Sequence, residues 1–167
     1  MKQVDELINE LNKFSEDILG AGLPTDHDRL VSEFEKKNGL QLPPDFKYFT
    51  AVINGFNLMG NEVYGFNGSN KGMSLEAVYY REHFLVQVPQ FPHLVPFSGD
   101  GGGNFYCLDT KAPTENGDSC LVVFWESNYH YIESNPPEIV NNSFVDWVYK
   151  NVIEFTLEDF DYEGDPK

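Results

Sequence analysis

The spacing of the apolar residues changes after residue 55, and this change limits the folds that the chain can adopt. Before it, apolar residues recur every three or four positions over residues 3–19, 26–38 and 44–53, which predicts three amphipathic helices. After it, they alternate with polar residues in short runs between glycines and prolines, which predicts strands, and a helical pattern returns after Ser143. This order predicts an α+β fold in which N-terminal helices and a C-terminal helix pack against a largely antiparallel sheet.

The segment at residues 38–56 holds the clearest helix boundaries. Gly39 can take the left-handed conformation that ends many helices, and Pro44 suits the first position of the next helix. Pro43 restrains the residue before it to extended backbone, so a short extended step separates the two helices. Asn54-Gly55 then ends the helix that begins at Pro44. No residue of the segment is chemically reactive, so we interpret it as scaffold rather than as a functional surface.

The remaining elements are predicted from alternation, caps and turns. A hairpin is expected around Gly60-Asn61, and Ser74 can cap a helix over residues 75–84. A flexible turn is expected at the glycine run of residues 99–103. Strands are predicted at residues 94–97, 105–109, 121–125 and 129–132.

Length and composition indicate one domain in a reducing compartment. The chain has 167 residues, and we expect a single domain over residues 1–158 followed by a frayed, acidic tail at residues 159–167. Its first residues lack the apolar core of a signal peptide, and no apolar run approaches the ~20 residues of a membrane helix. The two cysteines, Cys107 and Cys120, are too few for a disulfide scaffold. We therefore expect a cytoplasmic protein that does not bind membranes.

The formal net charge is −16, from 27 acidic and 11 basic residues. Nucleic-acid binding needs clustered Lys and Arg, so this excess of acids argues against a nucleic-acid ligand. From residue 82 to residue 149 there are nine acids and a single base, Lys111. Two interpretations remain open: the charge keeps the protein soluble, or it attracts a basic partner.

The motifs that could carry chemistry are weak. The glycine run at residues 99–103 lacks the spacing of a dinucleotide-binding loop and precedes a strand rather than a helix. Cys107 and His130 could form a nucleophile and base, but a cysteine inside an alternating strand is usually a small core residue. The four histidines have no metal-binding spacing. We predict no catalytic residue, cofactor or metal, and hence no enzyme. The alternative is a hydrolase or ligand-binding enzyme that uses the region from Asp100 to Asp109.

Several short motifs, taken in order, resemble the signature of the SUKH superfamily. They are residues 39–49, Asn54-Gly55, Val95-Pro96-Phe97, Gly102-Gly103, residues 106–109, residues 122–126 and Ser143-Phe144. The likeness spans residues 25–155. It implies an α+β domain with helices packed against a curved sheet, and it brings no established catalytic residues to this chain.

The resemblance also implies a function. Many bacterial members of the superfamily look like immunity proteins that bind and neutralise a toxin, often a nuclease, whereas fungal relatives regulate cell-wall synthesis. We therefore expect an immunity protein whose partner is a cognate toxin with a basic surface. Since fold alone does not decide function, the alternative is an intracellular scaffold or regulator that binds an endogenous protein. The sequence leaves the oligomeric state open.

Acidic and aromatic residues in the C-terminal half are the candidate contacts for such a partner. Acids would be attracted to a basic groove, and tyrosines are frequent anchors of protein–protein interfaces. The candidates are Glu115, Asp118, Glu126, Tyr129, Tyr131, Glu133 and Glu138. We infer this patch from residue type and position, and the superfamily does not assign it.

Overall fold

The computed structural model of the chain describes residues 2–22, 26–69 and 72–167. The helices are α1 (Lys2–Leu11), α2 (His27–Asn38), α3 (Pro44–Val52), α4 (Leu75–Phe84), α5 (Phe144–Val148) and α6 (Phe155–Asp159), with a π-helical segment (Tyr149–Glu154) between the last two. The strands are β1 (Leu19–Ala21), β2 (Phe56–Leu58), β3 (Asn61–Val63), β4 (Leu94–Gly99), β5 (Phe105–Pro113), β6 (Cys120–Trp125) and β7 (Glu138–Asn141). They form two antiparallel sheets, in the orders β1-β2-β3 and β4-β5-β6-β7. The predicted α+β fold with an antiparallel sheet is confirmed.

The two sheets meet at the outer edge of β4. The backbone N–H of Tyr64 donates to the carbonyl of Phe97 at 2.8 Å, and the hydroxyl of Ser98 donates to the carbonyl of Glu62 at 2.6 Å. The small sheet therefore continues beside the larger one and occupies part of the edge that β4 would otherwise leave open.

The boundary between α2 and α3 forms as predicted. Gly39 has a φ of 66° and its N–H donates to the carbonyl of Glu35, which ends α2. Pro44 is the first residue of α3. The carboxylate of Glu35 accepts hydrogen bonds from the N–H of Leu42 at 2.8 Å and from the Lys47 ammonium at 3.0 Å, which holds the extended step in place.

The main core lies between α3, α5 and one face of the larger sheet. Phe46 of α3 is fully buried, and its ring centre lies 5.0 Å from that of Phe144 in α5 and 6.3 Å from that of Phe97 in β4. Trp147 packs edge-on against Phe97 at 4.9 Å. Aromatic pairs in these tilted and edge-to-face arrangements contribute beyond the area that they bury.

The opposite face of the larger sheet is covered by α4 and the segment that follows it. Ser74 caps α4 as predicted, because its hydroxyl accepts from the N–H of Ala77 at 3.1 Å. Phe105, Cys107 and Trp125 share this face, since Phe105 pairs with Trp125 and Cys107 lies two residues along the same strand. All three side chains are buried. This second layer supports the surface described below.

Two predicted elements differ from the structure. The first helix ends at Leu11 rather than near residue 19, and Leu19–Ala21 instead forms β1 against β2. The strand predicted at residues 129–132 is wrong, because these residues lie in a loop that is closed by an isolated bridge between Ile132 and Asn135. The fourth strand of the sheet is β7, which follows that loop.

The acidic tail at residues 159–167 folds back onto the end of α1 and the residues that follow it. The N–H of Ser15 donates to the carbonyl of Tyr162 at 2.8 Å, and the ring centres of Phe14 and Tyr162 lie 4.9 Å apart. The Tyr162 hydroxyl donates to the Glu10 carboxylate at 2.5 Å. These contacts differ from the frayed tail that the sequence predicts, whereas the domain boundary at residue 158 stays a prediction.

Candidate partner-binding surface

The seven candidate contacts lie at two opposite ends of the larger sheet. Tyr129, Tyr131 and the acids Glu126 and Glu133 lie in the loop at residues 126–137, between β6 and β7, and Glu138 begins β7. Glu115 and Asp118 lie in the turn between β5 and β6. Since β6 has six residues, about 17 Å of strand separates the two groups. The structure thus brings five of the seven candidates to one end of the sheet and places two at the other.

A row of aromatic rings connects the sheet core to this loop. The ring of Trp125, which is 1% exposed, lies 4.7 Å from Tyr131, and Tyr131 lies 4.6 Å from Tyr129, which is 43% exposed. Phe91 also packs edge-on against Trp125, with the ring centres 5.5 Å apart. The exposed Tyr129 ring is thus held by Tyr131, which itself packs on the buried Trp125, and a ring held in this way loses little conformational freedom in a contact.

The loop is tied to the glycine-rich turn between β4 and β5. The Asp100 carboxylate closes this turn by accepting from the N–H of Gly102 at 2.7 Å and from the N–H of Asn104 at 2.9 Å. The side-chain oxygen of Asn104 accepts the N–H of Ser127 at 3.0 Å, and the Ser127 hydroxyl donates to the carbonyl of Gly103. Asn104 therefore joins the turn to the first residues of the loop.

Replacing Asn104 by alanine is expected to loosen this loop without unfolding the domain. The variant loses the acceptor for Ser127 and a side-chain hydrogen bond to Asp100, which together hold the loop by about 1 kcal/mol. Amide hydrogen exchange at residues 126–135 should become about fivefold faster. Asn116→Ala is the matched control, since Asn116 bonds within the turn at the other end of the sheet. Unchanged exchange at residues 126–135 would show that Asn104 does not anchor the loop.

Two exposed isoleucines belong to the same surface and were missed in the sequence. Ile132 in the loop and Ile139 in β7 are each 57% exposed. Ile139 pairs with Val123, so it lies on the sheet face that also carries Trp125. The signal for β7 was present, because Pro136-Pro137 is followed by the β-branched pair Ile139-Val140. We name as the aromatic–acidic surface the candidate residues at this end of the sheet, which include both faces of β7: Glu126, Tyr129, Tyr131, Ile132, Glu133, Glu138 and Ile139.

The charge of the aromatic–acidic surface is not balanced locally. Glu126, Glu133 and Glu138 are all exposed, and none forms an ion pair with a described residue. Between Lys111 and Lys150 the chain has six acids and no Lys or Arg. This end of the sheet therefore combines exposed apolar side chains with acids that have no ion-pair partner among the described residues.

The residues considered for catalysis are not assembled into a site. Cys107 is fully buried, with its sulfur 3.5 Å from the side-chain oxygen of Gln90, and burial raises the pKa of its thiol well above the ordinary value. His130 lies in the exposed loop. The buried, neutral thiol is a poor nucleophile. In the part of the chain that the structure describes, no group of His, Cys, Asp and Glu is arranged to hold a metal ion, and no helix is long and apolar enough to cross a membrane.

These features define an α+β domain that presents an aromatic and acidic surface and keeps its thiols in the core. The family model described as SMI1 / KNR4 family (SUKH-1) matches residues 27–150, well over half of the chain. The chain therefore belongs to the SMI1 / KNR4 family (SUKH-1), and the resemblance to the SUKH superfamily is confirmed. A search of curated proteins gives no match.

Proposed function

We propose that this protein is an immunity protein that binds a cognate bacterial toxin and covers a basic functional surface on it, such as the phosphate-binding groove of a nuclease. Membership of the SUKH-1 family supports an immunity protein, because the resemblance to the SUKH superfamily implies relatives that neutralise toxins. The observation that carries the proposal is the exposed Tyr129 ring, which packs against Tyr131, while Tyr131 packs against the buried Trp125. The acids of the same loop form no ion pair with a described residue.

The two components of the aromatic–acidic surface have different tasks in this proposal. The acids steer a basic partner during the encounter and raise the association rate. Tyr129 and the exposed isoleucines then exclude water at the centre of the contact and slow dissociation. An inhibitor needs both properties, since it must reach the toxin before the toxin reaches its target and must then stay bound.

The direct test uses the toxin domain encoded by the adjacent gene. The purified chain should bind it with a dissociation constant below about 1 μM, and co-expression should restore growth of cells that produce the toxin. Absence of a complex together with absence of protection contradicts the proposal. If deletion of the gene slows growth in cells that carry no toxin, the regulator alternative is supported instead.

The location of the contact is tested by exchanging one exposed tyrosine at a time. Tyr129→Ala removes the outermost ring of the row and should raise the dissociation constant about five- to tenfold. Tyr48→Ala is the matched control, because Tyr48 is 37% exposed and its hydroxyl bonds to Asp5, away from the loop. Equal affinity of the two variants would move the contact away from the aromatic–acidic surface.

A further inference from the structure

β7 is an open edge of the larger sheet. It pairs with β6 on one side, and on its other side the described residues form no backbone hydrogen bond with it. The opposite edge differs, because β4 is contacted there by Glu62 of β3 and by Tyr64, the residue that follows β3. A row of unpaired N–H and C=O groups is a template for another strand, so β7 can accept a strand from a partner.

The register of the sheet determines which side chains an added strand would meet. Ile139 pairs with Val123 and lies on the face of Trp125, whereas Glu138 pairs with Phe124 and lies on the opposite face. Because side chains alternate along a strand, neighbouring residues of an incoming strand would face Ile139 and Glu138 in turn. An apolar residue suits the first position and a basic residue suits the second.

The charge of the chain argues against a second copy as the occupant. Two copies pairing through β7 would bring two acidic surfaces together, at a net charge of −16 each. Like charges that lie opposite each other across strands are destabilising, and a charged residue on a short edge strand is a common device against self-pairing. A basic strand from another protein reverses the sign of this interaction.

We propose that the partner adds an extended segment, with basic and apolar residues in alternation, as an antiparallel or parallel fifth strand along β7. The proposal rests on the proposed function, since it names how the toxin docks. Backbone hydrogen bonds along β7 supply the pairing, Glu138 selects a basic side chain, and Ile139 with the Tyr131 row receives an apolar one.

Amide hydrogen exchange of the unmodified chain tests this docking mode. In the complex with the toxin domain of the adjacent gene, the outward N–H groups of residues 138–141 should exchange at least about tenfold more slowly than in the free chain. A complex that forms with unchanged exchange at these residues overturns strand addition and leaves the proposed function intact. If no complex forms, the proposed function fails and strand addition fails with it.

Proline substitution on the edge gives an independent readout. Adjacent residues of an antiparallel strand alternate between pointing their N–H at the paired strand and away from it. One of Glu138→Pro and Ile139→Pro therefore removes only an outward N–H, and edge strands tolerate such a proline. The variant that keeps the unfolding temperature of the parent should bind the toxin at least about tenfold more weakly. Parental affinity in that folded variant would overturn the proposal.

Discussion

A variant in which Glu126, Glu133 and Glu138 are all replaced by glutamine is expected to associate with a basic partner about 10 to 100 times more slowly than the parent at low salt. The three side chains are exposed and form no ion pair with a described residue, so their charge acts outward on an approaching molecule. Glutamine keeps the shape of each side chain and removes only the charge. Stopped-flow association rates at about 20 mM and about 300 mM salt measure the effect. At the higher salt concentration, screening should make the association rates of the variant and the parent similar.

The matched control changes the net charge by the same amount, through residues outside the aromatic–acidic surface. Glu16, Glu154 and Glu158 are also exposed and lie outside the loop and β7, so their replacement by glutamine raises the net charge by the same amount. The control should slow association less than about threefold. Equal slowing in both triple variants would show that the overall charge attracts the partner and that the aromatic–acidic surface has no special part.

The elements that the sequence predicted well are those with local signals. Gly39 can adopt the positive φ that ends a helix, Pro44 fixes its own φ, and the Ser74 side chain satisfies an N–H three residues away. These boundaries therefore do not depend on distant contacts. The end of α1 could not be predicted in this way. Phe14 continues the apolar spacing of the helix, but its ring packs against Tyr162 in the tail, which is far away in sequence.

The candidate surface was predicted in part for a similar reason. Tyr129, Tyr131 and Ile132 resemble a strand in their composition, yet the two tyrosine rings pack against each other, Tyr131 packs against Trp125, and the chain forms a loop. The acidic residues were visible in the sequence. Their grouping was not, because the register of β5, β6 and β7 decides that Glu138 lies near Glu126 while Asp118 lies at the other end.

The burial of Asp45 is a feature that the sequence does not predict. It is the second residue of α3, where the helix dipole favours an acid, but it is 4% exposed. Its Oδ1 accepts from the N–H of Phe46 at 2.7 Å, and its buried Oδ2 has no hydrogen-bond partner in the described part of the chain. Burial raises the pKa of Asp45 to about 6 and outweighs the effects that favour the ion.

Asp45→Asn is therefore expected to stabilise the protein at pH 7.5, by about 1–2 kcal/mol in the free energy of unfolding. The pKa of the folded state lies above the ordinary value of 3.8, so from about pH 4 to about pH 6 the folded chain holds a proton that the unfolded chain has released. The contribution of Asp45 to stability falls as the pH rises through this window and stays low above it. The variant lacks this loss, although the helix loses a favourable charge in its first turn.

Urea unfolding of parent and variant at about pH 4 and at pH 7.5 measures this contribution as a difference, so the other acids cancel. The free energy of unfolding of Asp45→Asn should increase relative to that of the parent as the pH rises. Asp146→Asn is the control of opposite sign: burial raises the pKa of Asp146, but hydrogen bonds from Asn141 and Lys150 outweigh it and hold that pKa below its ordinary value. That variant should lose stability relative to the parent at neutral pH. In the structure, the Asp45 N–H donates to the Asp118 carbonyl, which holds the N-terminus of α3 against the β5–β6 turn. If the difference in stability between Asp45→Asn and the parent is the same at both pH values, the Asp45 carboxylate is in contact with water. The N-terminus of α3 then packs less tightly against the turn than this hydrogen bond indicates.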